Sequence, residues 1–424
     1  MIRRPVLILA LLTTLNLINY LDRFLVMAVG VRIQESLHLG DAQIGWVESA
    51  FMLGYFVTSP IFGWLGDRYP RKGLIAAGVA IWSIATIASG FSTSFAAMIA
   101  TRVFVGIGEA SYATLAPTII DDIAEPRNRN RWLAIFYVAI PVGSALGFLL
   151  GGQLEEHFGW RSAFRIAGGP GLVLALITVL IAEPKGRPRG DSSGAGITAY
   201  LELARRPAYR ATVAGYVAQT FALGGFTAWA APFLYRKLCL ELGVANFRFG
   251  LITVVTGLAG TALGGYLADR WPGQDRTSAG LRVCAWSSIL GAPVALAAIL
   301  VGGPHEPLGF LVALGICELM IFTSVAPINA AVMSTVPRHL RARAMAASIF
   351  AMHLLGDLIS PPVIGGLSDR FGDSRAFCSG ARGLQLGMYL LPAALALSAV
   401  LWWRASSRPA DASREDLPNA DVAG

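Results

Sequence analysis

The stretch Gly63-Trp-Leu-Gly-Asp67-Arg68-Tyr-Pro-Arg71-Lys72 closes one apolar segment, and Gly265-Tyr-Leu-Ala-Asp269-Arg270-Trp-Pro closes another 202 residues later. A second pair of echoes keeps nearly the same offset. Ala116-Pro117 precedes Pro126-Arg127-Asn-Arg129-Asn-Arg131, and Ala326-Pro327 precedes Pro337-Arg338-His-Leu-Arg341-Ala-Arg343. The chain is therefore two copies of one unit, and whatever lies between the echoes must fit that repeat.

Composition says what the unit is made of. Of 424 residues 55% are apolar and 14% are charged, against about 25% charged in an ordinary soluble domain. A soluble enzyme and a disordered chain are both excluded. A bilayer crossing takes about 20 apolar residues. Stretches of that kind fall at 5–30, 44–65, 74–91, 96–120, 132–154 and 163–182, then at 211–235, 249–268, 281–301, 308–335, 344–367 and 384–403. The expected fold is an all-α integral membrane protein of twelve transmembrane helices, built as two six-helix bundles over 1–182 and 211–404. Between them, 183–210 is a polar linker whose tail puts Ile197, Tyr200, Leu201 and Ala204 on one helical face, as in a helix lying on a membrane surface. Residues 405–424 read as a disordered tail. Parallel repeats of this kind are the arrangement of a rocking transporter.

The basic residues set the orientation. With the N-terminus inside, tails and inner connections hold 23 of the 34 Lys and Arg, outer connections nine, and spans two. Both termini are expected to be cytoplasmic. The formal charge of +8 is then membrane anchoring and implies no nucleic acid. Only three basic residues are Lys, and Ala and Gly are abundant; that bias points to a GC-rich bacterial genome and so to a bacterial inner membrane. Met1-Ile-Arg-Arg before Pro5–Leu12 imitates a signal peptide, but no A-x-A site follows promptly, so an uncleaved first span is expected. Cys239, Cys284, Cys317 and Cys378 show no C-x-x-C or zinc spacing and read as lone apolar side chains.

Asp22, Arg23, Arg102, Glu109, Glu318, His353 and Asp357 are ionisable residues that fall inside spans. An unpaired charge at a helix centre costs about 2.5–3.5 kcal/mol, so such residues line a cavity, pair, or both. Arg102 and Glu109 are seven apart, on one face and about 10 Å from each other. Either they hold opposite ends of a bound zwitterion, or each pairs with span 1. That span carries Asn16, Asn19, Tyr20 and Arg23 on one stripe, with Asp22 about 100° away. An economical arrangement pairs Asp22 with Arg102 and sets Glu109 near Arg23, and a permanent helix–helix salt bridge is the bland alternative. Arg102 or Arg23 is the expected anion reader, since a guanidinium meets phosphate or carboxylate bidentately. When substrate takes that arginine, the released carboxyl can accept a proton; Glu109 is the first coupling candidate and Asp22 the second.

Asn19, Tyr20, Tyr112, Trp229 and Glu318 complete the candidate substrate set. His353 and Asp357, one turn apart beside Pro361-Pro362, form either a second titrating pair or a packing hydrogen bond. Phe221, Phe226, Trp229, Phe322 and Phe350 suit an acyl chain or simple packing. The candidate gate is Gly63, Asp67, Arg68, Arg71 and Lys72, with Asp121 and Asp122 at the end of span 4 as partners for Arg71. Gly63 and Gly66 would allow close backbone approach. The second copy, Asp269-Arg270, is eroded, with Gly273-Gln274 where a basic pair would stand. Membrane anchoring alone explains the basic members but not Asp67, whose carboxylate would cap a helix N-terminus.

On these residues the sequence resembles the major facilitator superfamily. Gly63–Lys72 matches that family's loop between spans 2 and 3, with Pro70 in place of the usual Gly; Arg102-x3-Gly106 and Gly143-x3-Gly147-x3-Gly151-Gly152 are similar to its patterns. A narrower resemblance is to the spinster branch, through Asn19-Tyr20-Leu-Asp22-Arg23, Gly106-Ile-Gly108-Glu109-Ala-Ser-Tyr112, Ala116-Pro117-Thr-Ile-Ile and His353-Leu-Leu-Gly356-Asp357-x2-Ser360-Pro361. The resemblance implies transport of sphingosine-1-phosphate or other lysolipids, a loop that locks the cytoplasmic side shut, and a monomer.

The expected function is a proton-coupled secondary transporter of an amphipathic anionic or zwitterionic lipid-like substrate, working by alternating access. An exporter of amphipathic drugs, or a carrier of small organic anions, is the alternative. None of the three lysines stands in G-x4-G-K-[ST], so ATP drive is not expected. The five histidines are scattered, so neither a hydrolase nor a metal site is expected. A proton gradient replaces any cofactor.

Overall fold

Breakers in the sequence set where each crossing begins, bends and stops. The structure, a computed structural model, describes residues 4–125, 128–182, 197–272, 276–337, 340–372 and 375–407. The linker residues 183–196, the tail 408–424, and Pro126-Arg127, Gly273-Gln274 and Arg338-His339 lie outside the described residues.

Helix α1 (Pro5–Leu37) opens with proline, whose missing N–H costs nothing in a first turn, and ends at His38 in the left-handed region (φ 52°). Next come α2 (Asp41–Gly66), α3 (Arg71–Ser89) and α4 (Phe95–Ile123), the last capped by Ser94, whose hydroxyl accepts from the Ala97 N–H. The continuous stretch α5 (Arg129–Val179) holds two expected spans, divided at Gly159, whose φ of 74° only glycine adopts readily. The linker's tail forms α6 (Ile197–Arg205), followed by α7 (Pro207–Arg236), α8 (Leu242–Arg270) and α9 (Arg276–Leu300).

The last three crossings are interrupted. Helices α10 (Leu308–Thr323) and α11 (Val325–Ser334) meet at Ser324; α12 (Arg341–Met352) and α13 (Ser360–Arg370) flank a π-turn at His353–Asp357; α14 (Arg382–Met388) and α15 (Leu390–Ser406) meet at Tyr389. Each interruption follows the residue four before a proline: Thr323 before Pro327, Asp357 before Pro361, Met388 before Pro392. The proline leaves that carbonyl without its usual donor. Prolines inside α2, α4, α5, α7 and α9 leave those helices continuous.

Among the described residues, nine helical stretches are long and apolar enough to cross a membrane; 131–179 holds two crossings, and α2 and α7 complete the twelve. The chain forms two compact units. One comprises Met1–Gly190, Ala230–Val254 and Pro361–Gly383; the other Asp191–Trp229, Val255–Ser360 and Leu384–Gly424.

In the first unit α1 packs along α5, α2 along α4, and α3 against both α4 and α5. Gly143 and Gly147 make the α1–α5 contact: a Cβ there would come within 2.5 Å of the Leu17 carbonyl oxygen and 2.7 Å of the Leu21 carbonyl oxygen. In a bilayer, where lipid is as apolar as leucine, such close packing is a main source of helix association. In the second unit α9 packs against α10, α11 and α15, and the Trp402 indole donates to the Thr212 carbonyl at 3.0 Å. Leu203 of α6 is buried among Val332, Val336, Leu340 and Ala344, while Tyr200 and Leu201 stay exposed. The expected helix forms, and Leu203, which is not on the expected face, attaches it to the second unit.

One expectation is overturned. Cys239 and Cys378 form a disulfide within the first unit, joining the segment after α7 to the segment after α13. They are 139 residues apart, with no motif, so only the fold brings them together. Cys284 and Cys317 are buried free thiols, as lone apolar side chains should be.

Candidate functional site

The polar stripe of α1 faces α4 inside the first unit. The Arg23 guanidinium lies 2.6 Å from Glu109 Oε2, and the Glu109 side chain is wholly buried. The rings of Phe51, Tyr20 and Tyr55 stand 4.5, 4.8 and 5.9 Å from the same cation. An aromatic cage and one charge-assisted bond thus hold Arg23. Asn16 is fixed by donating to the Phe136 carbonyl at 2.9 Å. Asn19 is buried with its amide nitrogen unpartnered.

Asp22 is completely buried beside Arg102 and Glu109. Thr86 and Trp82 also stand next to it, but no donor meets either of its oxygens in hydrogen-bond geometry. Arg102 instead donates to Ser89 Oγ at 2.8 Å and lies 5.1 Å from the Phe164 ring. The expected Asp22–Arg102 bond is therefore not made, because Ser89, one turn from Thr86 along α3, captures the guanidinium. Glu109 Oε1 and Arg102 Nε are likewise buried without partners. Two cations and two carboxylates share one bundle interior with only one bond between opposite charges. Unsatisfied buried groups are rare in folded proteins and concentrate where a ligand, a proton or water is to be received.

The end of the bundle where α1 begins, here the near end, carries the loop residues. Arg71 bonds Asp122 Oδ2 at 2.6 Å and donates to the Thr118 hydroxyl at 3.0 Å. Asp121 pairs with Arg129 rather than with Arg71. Lys72 donates to the carbonyls of Ile181 (2.9 Å) and Val179 (3.3 Å), a cation on the C-terminal end of α5. Arg68 lies 3.9 Å over the Trp64 ring. Asp67 is the exposed C-terminal cap of α2 and is itself engaged. Gly63 does not mediate a close approach, since a Cβ there meets only Thr114 at 3.9 Å; Gly66 does, against Leu115. In the second copy Arg270 stacks on Tyr266 and Asp269 is exposed.

The far end of the first unit holds a cluster the sequence reading missed. Arg236, wholly buried, bonds Asp41 at 2.8 and 3.0 Å and donates to Gln34 Oε1 at 2.7 Å. Ser368 and Gln34 each donate to Asp41 at 2.5 Å. Asp369 accepts from the backbone N–H groups of Asp41 (2.8 Å) and Ala42 (2.9 Å) at the start of α2, and from Arg375 at 2.6 Å. Burial pushes the Asp41 carboxyl up, but Arg236, Ser368 and Gln34 outweigh it and hold the group below the usual carboxylate range. These residues flank the apolar stretches, so a search for charges inside spans passes over them. Glu48 is different: it falls within 44–65, is buried, and has an unpartnered Oε2. The criterion that singles out Glu109 applies equally to it.

Among the remaining candidates, Tyr112 is a packing residue: its hydroxyl donates to the Leu12 carbonyl, and its ring sits edge-on to Trp82 in the core. Trp229 and Glu318 belong to the second unit, both buried, and Glu318 Oε2 accepts from the Thr256 hydroxyl at 3.1 Å. His353 Nδ1 and Asp357 Oδ2 are 2.8 Å apart across the π-turn, so that pair is made. The expected aromatic wall disperses. Phe226 is fully buried, Phe350 is exposed, and Phe221 lines a separate groove on the second unit.

Twelve crossings, a charged loop after α2 and buried charges between α1 and α4 are features of a membrane carrier. Residues 12–356 match the Major Facilitator Superfamily. The chain belongs to that superfamily and is an integral membrane transporter. Human protein spinster homolog 1 is 35% identical over 91% of this chain and 78% of its own length. The zebrafish sphingosine-1-phosphate transporter SPNS2 is 33% identical over 92% and 81% respectively. Within the superfamily, the chain is a member of the spinster family. The Drosophila protein spinster is 34% identical over 84% of this chain, which spans 60% of that protein. A crystal structure of a bacterial homolog to human lysosomal transporter Spinster, inward-facing and unoccupied, shares the fold (TM-score 0.83, 24% identity, 95% of this chain and 97% of that one).

Proposed function

We propose that this transporter is proton-coupled and moves a lysophospholipid or sphingosine-phosphate class of substrate by alternating access. The observation that carries the reading is the buried Arg23–Glu109 bond beside a buried Asp22 whose oxygens meet no donor in hydrogen-bond geometry. A substrate phosphate binds Arg23 bidentately and displaces Glu109; the freed carboxyl then takes a proton from the gradient. Arg102 is the second anion reader, Asp22 the second proton acceptor, and His353–Asp357 a further titrating pair. The name of the zebrafish relative, a sphingosine-1-phosphate transporter, supports the substrate class. In this reading both termini are cytoplasmic, in a bacterial inner membrane, and the protein works as a monomer. The excess of basic residues in inner connections supports that orientation. So does a disulfide at the far end, which belongs in an oxidising compartment. Arg71–Asp122 then closes the cytoplasmic side.

The test is uptake by reconstituted vesicles under an imposed pH gradient, with lysolipids competing against simple carboxylates and amphipathic drugs. Gradient-driven flux inhibited by lysolipids alone supports the reading. Inhibition by carboxylates or drugs alone, or flux indifferent to the gradient, overturns it.

A further inference from the structure

The second unit carries a groove that the transport reading does not use. Its volume is about 690 Å³, and α7, α12 and α15 form its walls, with Val217, Phe221, Leu355 and Leu397 among the lining residues. Along α7 it runs from Arg210 to Phe221, and along α15 from Leu401 back to Leu390. Eleven residues of α-helix rise about 16 Å, close to half of the roughly 30 Å hydrocarbon thickness. The groove is therefore one leaflet long.

Its two ends differ. A smaller hollow lined by Pro207, Arg210, Ala211, Ala214 and Leu401 continues it at the end where α7 begins. The exposed Arg210 guanidinium stands there, and the exposed Arg404 follows Leu401 by one turn on α15. At the other end stand Phe221 and Leu390, both apolar. One cationic end and one leaflet of apolar wall match the two parts of a phospholipid.

We infer that this groove is a binding site for an anionic two-chain phospholipid of the cytoplasmic leaflet, phosphate at Arg210 and Arg404 and an acyl chain along α7 and α15. The leaflet rests on the orientation given under Proposed function; the headgroup charge rests on the two arginines alone. Annular lipid would cover any apolar face, but it would not be selected by charge. Such a lipid would join α7 to α12 and α15.

The full-length protein, stripped of lipid in detergent, is given equal amounts of phosphatidylglycerol and phosphatidylcholine, and retained lipid is measured by native mass spectrometry. At least fivefold more phosphatidylglycerol should be retained. Arg210→Gln should bring the two lipids to near parity, and Ala214→Trp, which fills the exposed junction of groove and hollow, should abolish retention of both. Leu296→Trp, at an exposed position on α9, is the control for folding and should retain lipid as the parent does. Equal retention of the two lipids by the parent protein overturns the inference, as does undiminished retention by Ala214→Trp. The readout is binding, so its failure leaves gradient-driven uptake untouched, and failure of uptake leaves it untouched.

Discussion

Arg23 on α1 and Glu109 on α4 are joined by a 2.6 Å bond inside the first unit, and both residues have a further polar atom left unpartnered. The bond joins the two helices, and 17% of the Arg23 side chain stays accessible; in the proposed mechanism an anionic ligand takes the place of Glu109 there.

Glu109→Gln removes the charge and keeps the shape. Uptake driven by a pH gradient should fall at least about tenfold, equivalent to about 1.4 kcal/mol, and its dependence on pH should flatten. Flux measured between pH 5.5 and 8 in vesicles checks this; a variant with the parent's pH profile removes Glu109 from coupling.

At the near end, Asp122→Asn leaves Arg71 with Thr118 but without its carboxylate. Alkylation of a cysteine placed in α4 near Thr118 should quicken by roughly fivefold, the effect of about 1 kcal/mol on an opening equilibrium. Asp67→Asn should act in the same direction. Unchanged alkylation in both variants would exclude a gating role for this loop.

At the far end, Asp41→Asn leaves Arg236 buried without its counter-charge. Removing one partner of such a pair costs about 3–5 kcal/mol, to be read as a lower thermal midpoint in detergent. The sign of the pH effect follows from the depressed carboxyl. Its contribution is complete above the ordinary carboxylate value of about 3.9 and is lost as the pH falls through the lower value in the fold. The midpoint of the parent should hold from pH 7 to pH 5 and drop only in stronger acid. Asp41→Asn should lack that acid component.

Non-reducing peptide mapping should return the Cys239 and Cys378 peptides linked and those of Cys284 and Cys317 free. Reduction should lower the thermal midpoint, since crosslinks of this kind contribute about 2–4 kcal/mol. Four free thiols in protein isolated from the membrane would refute the pairing.

The sequence by itself determined the number of crossings, the repeat and the special status of Asp22, Arg23, Arg102 and Glu109. The reason is the bilayer, which makes an apolar run of given length and a charge within it both conspicuous and costly. Periodicity put Arg102 and Glu109 on one face of span 4 and Arg23 on the polar stripe of span 1, because 3.6 residues per turn fixes which side chains share a face; it left the pairing between them open. Only the tertiary structure decided which donors each group meets. Ser89 takes Arg102 from Asp22, Leu12 takes the Tyr112 hydroxyl, and Asp121 pairs with Arg129, each settled by the depth and rotation at which neighbouring helices pack. The Cys239–Cys378 disulfide and the Asp41–Arg236 cluster join segments far apart in sequence. Their members lie beside the spans, where a polar residue costs little and leaves no mark in composition. Partners of that kind become visible only once the chain has folded back on itself.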